Sequence, residues 1–184
     1  KWIRSVQGGT TDTSHSTERY QKVKRLLDLG FAEEAYDIFH FAKKKNRSRL
    51  DFLYSYAKLF LAYDELIQGY ALARSFQNLI PRKHLADAPR NVMKVLYPMP
   101  FKDKVFAAAD SSIDPLFVYS VMRQESTFNY LITSPANACG LLQIIPPTAK
   151  KLAKAEGLKS FSPKLLYNPY VNIRLGVRYL KDLL

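Results

Sequence analysis

Cysteine is all but missing from this chain. Cys139 stands alone among 184 residues, so no intramolecular disulfide can form. Histidine is scarce as well. His15, His40 and His84 lie far apart and in no zinc-ligand spacing, so neither a metal nor another cofactor is expected. No apolar run approaches the ~20 residues that a membrane-spanning helix needs, so no transmembrane segment is expected. The opening residues, KWIRSVQGG, lack the apolar centre of a signal peptide. Acidic residues are in deficit: 16 Asp and Glu face 28 Lys and Arg, for a net charge of +12. Such a balance draws polyanions by long-range attraction. No aromatic and basic motif of an RNA reader accompanies it, so nucleic acid is not the expected partner. The densest basic cluster, Lys43, Lys44, Lys45, Arg47 and Arg49, reads as a solvated helix end, where cations are favoured.

Proline is absent from the first 80 residues and then frequent, at Pro81, Pro89, Pro98 and Pro100. Because proline breaks helices and restricts the residue before it, residues 80–100 read as a connection between two helical regions, 1–97 and 98–184. In the first region Phe31, Ala35, Ile38 and Ala42 draw one apolar stripe, and Leu50, Leu53, Ala57 and Phe60 draw another. Gly30 suits the residue just past the end of the helix ERYQKVKRLLDL. Glu33 and Glu34 then fall in the first turn of the next helix. Helix starts near 18, 31, 48 and 65 predict stacked helical hairpins, a scaffold or binding surface of the superhelical kind. The chain as a whole reads as all-α.

In the second region Asp114-Pro115 and Asn168-Pro169 each pair a capping side chain with a proline suited to the first helical position. In the last helix Ile173, Gly176, Val177, Leu180 and Leu184 share one face, and Gly176 there would let another backbone approach closely. The helix DPLFVYSVMRQES places Val118, Val121, Met122 and Glu125 at i, i+3, i+4 and i+7. Glu125 thus lies on an apolar stripe near the helix end. Burial there would favour the neutral carboxylic acid, which is what protonation of a glycosidic oxygen requires. The same spacing also fits a glutamate that looks out to solvent or pairs with Arg123 or a lysine.

The residues that follow carry more information. Glu125-Ser126, Phe128-Asn129, Ser134, Ala136, Ala138, Gly140-Leu141, Gln143, Pro146 and Thr148-Ala149 stand in the order and spacing of a motif. Further on come Asn172, Ile173, Gly176, Tyr179 and Leu180. Together these resemble the catalytic domain of the soluble lytic transglycosylases, a branch of the lysozyme-like superfamily, over about residues 97–184. The helical hairpins before it resemble the superhelical region that precedes that domain in the large soluble enzymes.

The resemblance implies a lysozyme-like α domain that acts on peptidoglycan strands in the bacterial cell envelope or periplasm, where envelope proteins are possible partners. It implies cleavage of the β-1,4 bond between N-acetylmuramic acid and N-acetylglucosamine to a 1,6-anhydro end, with Glu125 as sole acid and base. Ser134 and Gln143 would hydrogen-bond to sugar, and Ile145 would line the same groove unless it packs into the core. Cys139 reads as incidental, since no histidine adjoins it to activate a thiol. The family continues with an Ala-Tyr-Asn-Ala-Gly segment that this sequence lacks. Its absence is expected to expose Glu125 and to leave this stretch alone poorly active.

Overall fold

The computed structural model describes residues 17–184; the KWIRSVQGG segment and His15 lie outside the described residues. The chain divides into two compact units, residues 1–98 and 99–184. Both are helical, and among the described residues no strand forms.

In the first unit α1 (Glu18–Asp28) begins at Thr17, whose Oγ1 accepts the N–H of Tyr20 at 3.2 Å. It ends in a Schellman turn. Gly30, at φ +81°, donates to Leu27 O, and Phe31 donates to Leu26 O. Helices α2 (Ala32–Lys43), α3 (Leu50–Ala62) and α4 (Leu66–Gln77) follow. Helix α1 packs on α2 and α3 on α4, which gives the expected hairpins.

The face that α2 buries is not the predicted stripe. Ala35, Phe39 and Ala42 are buried, Ile38 is only partly so, and Phe31 is exposed at the helix entry. Phe39 is the larger ring, and it fills the interior against Tyr56 and Phe52, with centroids 4.9 and 5.7 Å away. Helix α3 buries Leu53, Ala57 and Phe60 as expected, but also Phe52, Tyr54, Tyr56 and Leu59. It is the helix surrounded by others, so no polar face is required of it.

Residues 80–100 are more than a connection. They hold α5 (Arg90–Leu96), which buries Val92, Val95 and Leu96 against α3 and α4. Pro89 stands at its N-cap, where a missing N–H costs nothing.

The second unit contains α6 (Lys102–Ala109), α7 (Pro115–Ser126), α8 (Pro146–Ala155), a 3₁₀ turn over Pro163–Tyr167, and α9 (Pro169–Leu183). Helix α9 contacts α6, α8 and the 3₁₀ turn, and α6 contacts α7. Both predicted caps form. Asp114 Oδ1 accepts the N–H of Leu116 at 2.8 Å, and Asn168 Oδ1 accepts those of Tyr170 and Val171 at 2.9 and 3.3 Å.

The buried face of α9 is Asn172, Ile173, Leu175, Gly176 and Val177; Leu180 is half-buried and Leu184 exposed. Gly176 does admit a close neighbour, but it is a side chain and not a backbone. A Cβ there would sit 2.3 Å from Leu142 Cδ1.

Candidate active site

Glu125 occupies the last turn of α7. The buried arc of that helix is Val118, Tyr119, Met122 and Ser126, which is rotated from the predicted stripe. Val121 is half-buried and Glu125 is exposed. The carboxyl group therefore stands at the edge of the packed face, without the burial expected of it.

The helix end itself is firmly built. Ser126 Oγ donates to Met122 O at 2.9 Å inside the unit. Thr127 and Phe128 follow in left-handed backbone, at φ +50° and +61°. Neither residue adopts that region freely, least of all the β-branched threonine, so the packing around them holds them there. Phe128 is buried edge-on to Tyr119, with centroids 6.5 Å apart. The Tyr119 hydroxyl donates to Pro100 O at 2.9 Å, and burial pushes this phenol up to about 12.

The chain then runs through an irregular loop that returns to α8. Cys139 forms isolated bridges with Thr133 and with Ile144, so three short extended pieces lie side by side. Ser134 closes the first turn: its Oγ accepts the N–H of Ala138 at 3.1 Å, and its N–H donates to Ala138 O at 2.9 Å. Its hydroxyl proton is still able to donate to a ligand.

Gln143, at φ +48°, spends Nε2 on two backbone carbonyls, Gly140 O at 2.9 Å and Ile132 O at 3.3 Å. These bonds hold the amide in one orientation and leave Oε1 able to accept. Ile145 is 42 % exposed at the N-cap of α8, which excludes the core-packing alternative. Ser134, Gln143 and Ile145 thus belong to one hydrogen-bonded loop, and α7 with Glu125 leads into it. Cys139 is buried, with Sγ 3.4 Å from Asn137 O. Among the described residues no three His, Cys, Asp or Glu converge to hold a metal ion.

Two residues outside the predicted set hold this loop. Asn172 lies wholly buried on α9. Its Nδ2 donates to Cys139 O and Leu166 O, both at 2.9 Å, and its Oδ1 accepts the N–H of Leu142 at 2.8 Å. Tyr167 places its hydroxyl 2.6 Å from Thr133 Oγ1. The sequence carries one signal for Asn172: an amide side chain on the apolar face of an amphipathic helix. Its partners lie roughly thirty residues away, at Cys139 and Leu142, so nothing local points to them.

Residues 105–184 match the family described as the Transglycosylase SLT domain. Membrane-bound lytic murein transglycosylase C of Histophilus somni is 42% identical over 76 residues, 40% of this chain and 21% of that protein. Soluble lytic murein transglycosylase of Escherichia coli K12 is 30% identical over 115 residues, 61% of this chain and 18% of that protein. The chain therefore spans about a fifth of the length of the curated relatives it matches. An inactive mutant of the lytic transglycosylase Slt of Pseudomonas aeruginosa superposes with a TM-score of 0.68 at 21% identity, over 92% of this chain and 26% of that one. That likeness establishes the fold.

Proposed function

From a transglycosylase SLT domain over residues 105–184, we propose that this chain is part of a peptidoglycan lytic transglycosylase of the bacterial envelope, working in the periplasm. The whole catalytic domain is assigned to residues 98–184. Glu125 is its acid and base.

In the first half of the reaction the Glu125 carboxylic acid gives its proton to the bridging oxygen as the bond from C1 of N-acetylmuramic acid to that oxygen breaks. In the second half the resulting carboxylate takes the proton of the same sugar's C6 hydroxyl as O6 bonds to C1. The proton count balances, no water is consumed, and the product ends in a 1,6-anhydro ring. Ser134 and the Oε1 of Gln143 hydrogen-bond to sugar, and Ile145 offers it an apolar contact.

One observation carries this reading. Glu125 stands accessible at the end of α7, while its two nearest acids in the sequence are engaged elsewhere. Asp114 caps the other end of α7, about 16 Å away along the helix axis. The paired carboxylates of hydrolytic glycosidases stand about 5–9.5 Å apart. Glu156 is bound to Arg174 at 2.9 Å and lies 3.6 Å from Arg178. A single acid and base that uses the substrate's own hydroxyl fits this arrangement better than a hydrolase does.

The exposure of Glu125 favours one second reading, a glycan-binding module without turnover. Digesting purified peptidoglycan with the protein and weighing the released muropeptides separates the cases. Fragments one water lighter, with anhydro ends, support the proposal. Ordinary reducing ends point to a hydrolase, and binding without fragments points to the module.

A further inference from the structure

A cavity of about 620 Å³ opens on the second unit between α6 and α9. None of Glu125, Ser134, Gln143 or Ile145 lines it. Arg174, Arg178 and Lys181 fall at i, i+4 and i+7 on α9, which puts three cations on one helix face. Lys104 adds a fourth from α6, where Ala107 and Ala108 leave room between the helices. Tyr170 completes the wall. Its ring is 53 % exposed and lies 5.1 Å from Lys104 Nζ.

The chemistry of the groove is already visible in its own contacts. Arg174 Nε binds the Glu156 carboxylate at 2.9 Å, and Lys181 binds Asp110 at 2.5 Å. Four cations face only these two acids in the lining, so capacity for carboxylate remains. Both arginines are about half-exposed, and a guanidinium fork matches a carboxylate in two-point fashion.

We infer that this groove docks an acidic peptide segment of a partner protein, with its carboxylates on Lys104, Arg174, Arg178 and Lys181 and an apolar side chain against Tyr170 and the two alanines. The volume is that of a compact ligand pocket. A membrane surface would instead engage a broad exposed patch, and single-stranded nucleic acid would use several stacking rings along a track. Here there is one ring in one enclosed groove.

The test is fluorescence anisotropy of a labelled hexaglutamate peptide against the chain at low salt. Saturable binding is expected, and salt should weaken it. Lys104→Glu combined with Arg178→Glu should weaken it about tenfold or more. Ala107→Phe, which fills the groove without altering charge, should weaken it similarly. Lys44→Glu with Lys45→Glu in the first unit should leave it unchanged.

Circular dichroism melts check that each variant folds. Amide shifts on the unaltered chain should move at Lys104, Tyr170, Arg178 and Lys181, which keeps the test decisive if a variant unfolds. Absence of saturable binding overturns the inference. So does binding that the groove variants leave intact. An oligonucleotide or anionic vesicle that occupies the groove and is not displaced by the peptide overturns it as well.

Discussion

The buried amide of Asn172 donates to the backbone carbonyl of Cys139 at 2.9 Å, across 33 residues of chain. With its bonds to Leu166 O and Leu142 N, it ties α9 to the loop that carries Gln143. Replacing it by alanine leaves two carbonyls and one N–H without partners inside the unit. An unsatisfied buried group costs about 1–3 kcal/mol, so Asn172→Ala should lose about 3 kcal/mol or more. Asn172→Asp should be no milder, because a carboxylate would face two carbonyl oxygens. Urea denaturation of the chain and its variants measures both.

Gly140 and Gly30 offer a paired comparison. Both have positive φ, +75° and +81°. At Gly30 an added Cβ meets nothing within 4 Å, so Gly30→Ala should cost only the left-handed backbone, about 1 kcal/mol. At Gly140 the Cβ would lie 2.2 Å from Leu166 O and 2.4 Å from Asn172 Nδ2. Gly140→Ala must push the loop off its anchor and should cost about 3 kcal/mol or more. Comparable losses for the two variants, read from the same denaturation experiment, would contradict this packing.

Much of the framework was legible because its signals are local. Thr17, Asp114 and Asn168 cap helices whose starts the sequence marks, and Gly30 ends the one before it. The exposure of Glu125 was not legible. Periodicity places it at the edge of the stripe, but tertiary packing chooses which arc is buried, and the choice fell on Tyr119 and Ser126. The same holds in α2, where Phe39 rather than Ile38 enters the core. Asn172 and the Gly176–Leu142 contact depend on partners distant in sequence, which a helical pattern cannot reveal. The prolines marked a change of region correctly but concealed α5, because a proline at an N-cap both ends one segment and starts another.

Tyr119 joins α7 to the backbone at Pro100. Tyr119→Phe keeps the ring against Phe128 and removes only the hydroxyl, so it should cost about 1 kcal/mol. The phenol's folded value of about 12 lies above its ordinary 10.0. Its contribution is therefore full below pH 10 and lost as pH rises towards 12. Alkaline denaturation should begin at lower stability in Tyr119→Phe but with a shallower fall over that range.

Lys181 holds the Asp110 carboxyl at about 2, against an ordinary 3.8, with help from Ser112. A depressed carboxylate contributes stability above pH 3.8 and loses it as pH falls through 2. The pair is exposed, so salt should reduce the effect. Carboxyl NMR should find the Asp110 midpoint raised part of the way towards 3.8 in Lys181→Met, since the Ser112 N–H still donates.

The most direct measurement of the central claim is peptidoglycan cleavage by Glu125→Gln. It would be run on this chain and on the same chain extended by an Ala-Tyr-Asn-Ala-Gly helical segment. Glutamine keeps the shape of Glu125 but can neither give nor take the proton. The account predicts that anhydro-ended muropeptides are released by the glutamate form of at least one of the two chains. It predicts that the glutamine form releases none while still sedimenting with peptidoglycan. Equal release by the glutamine form would contradict the account, as would no release by either glutamate chain.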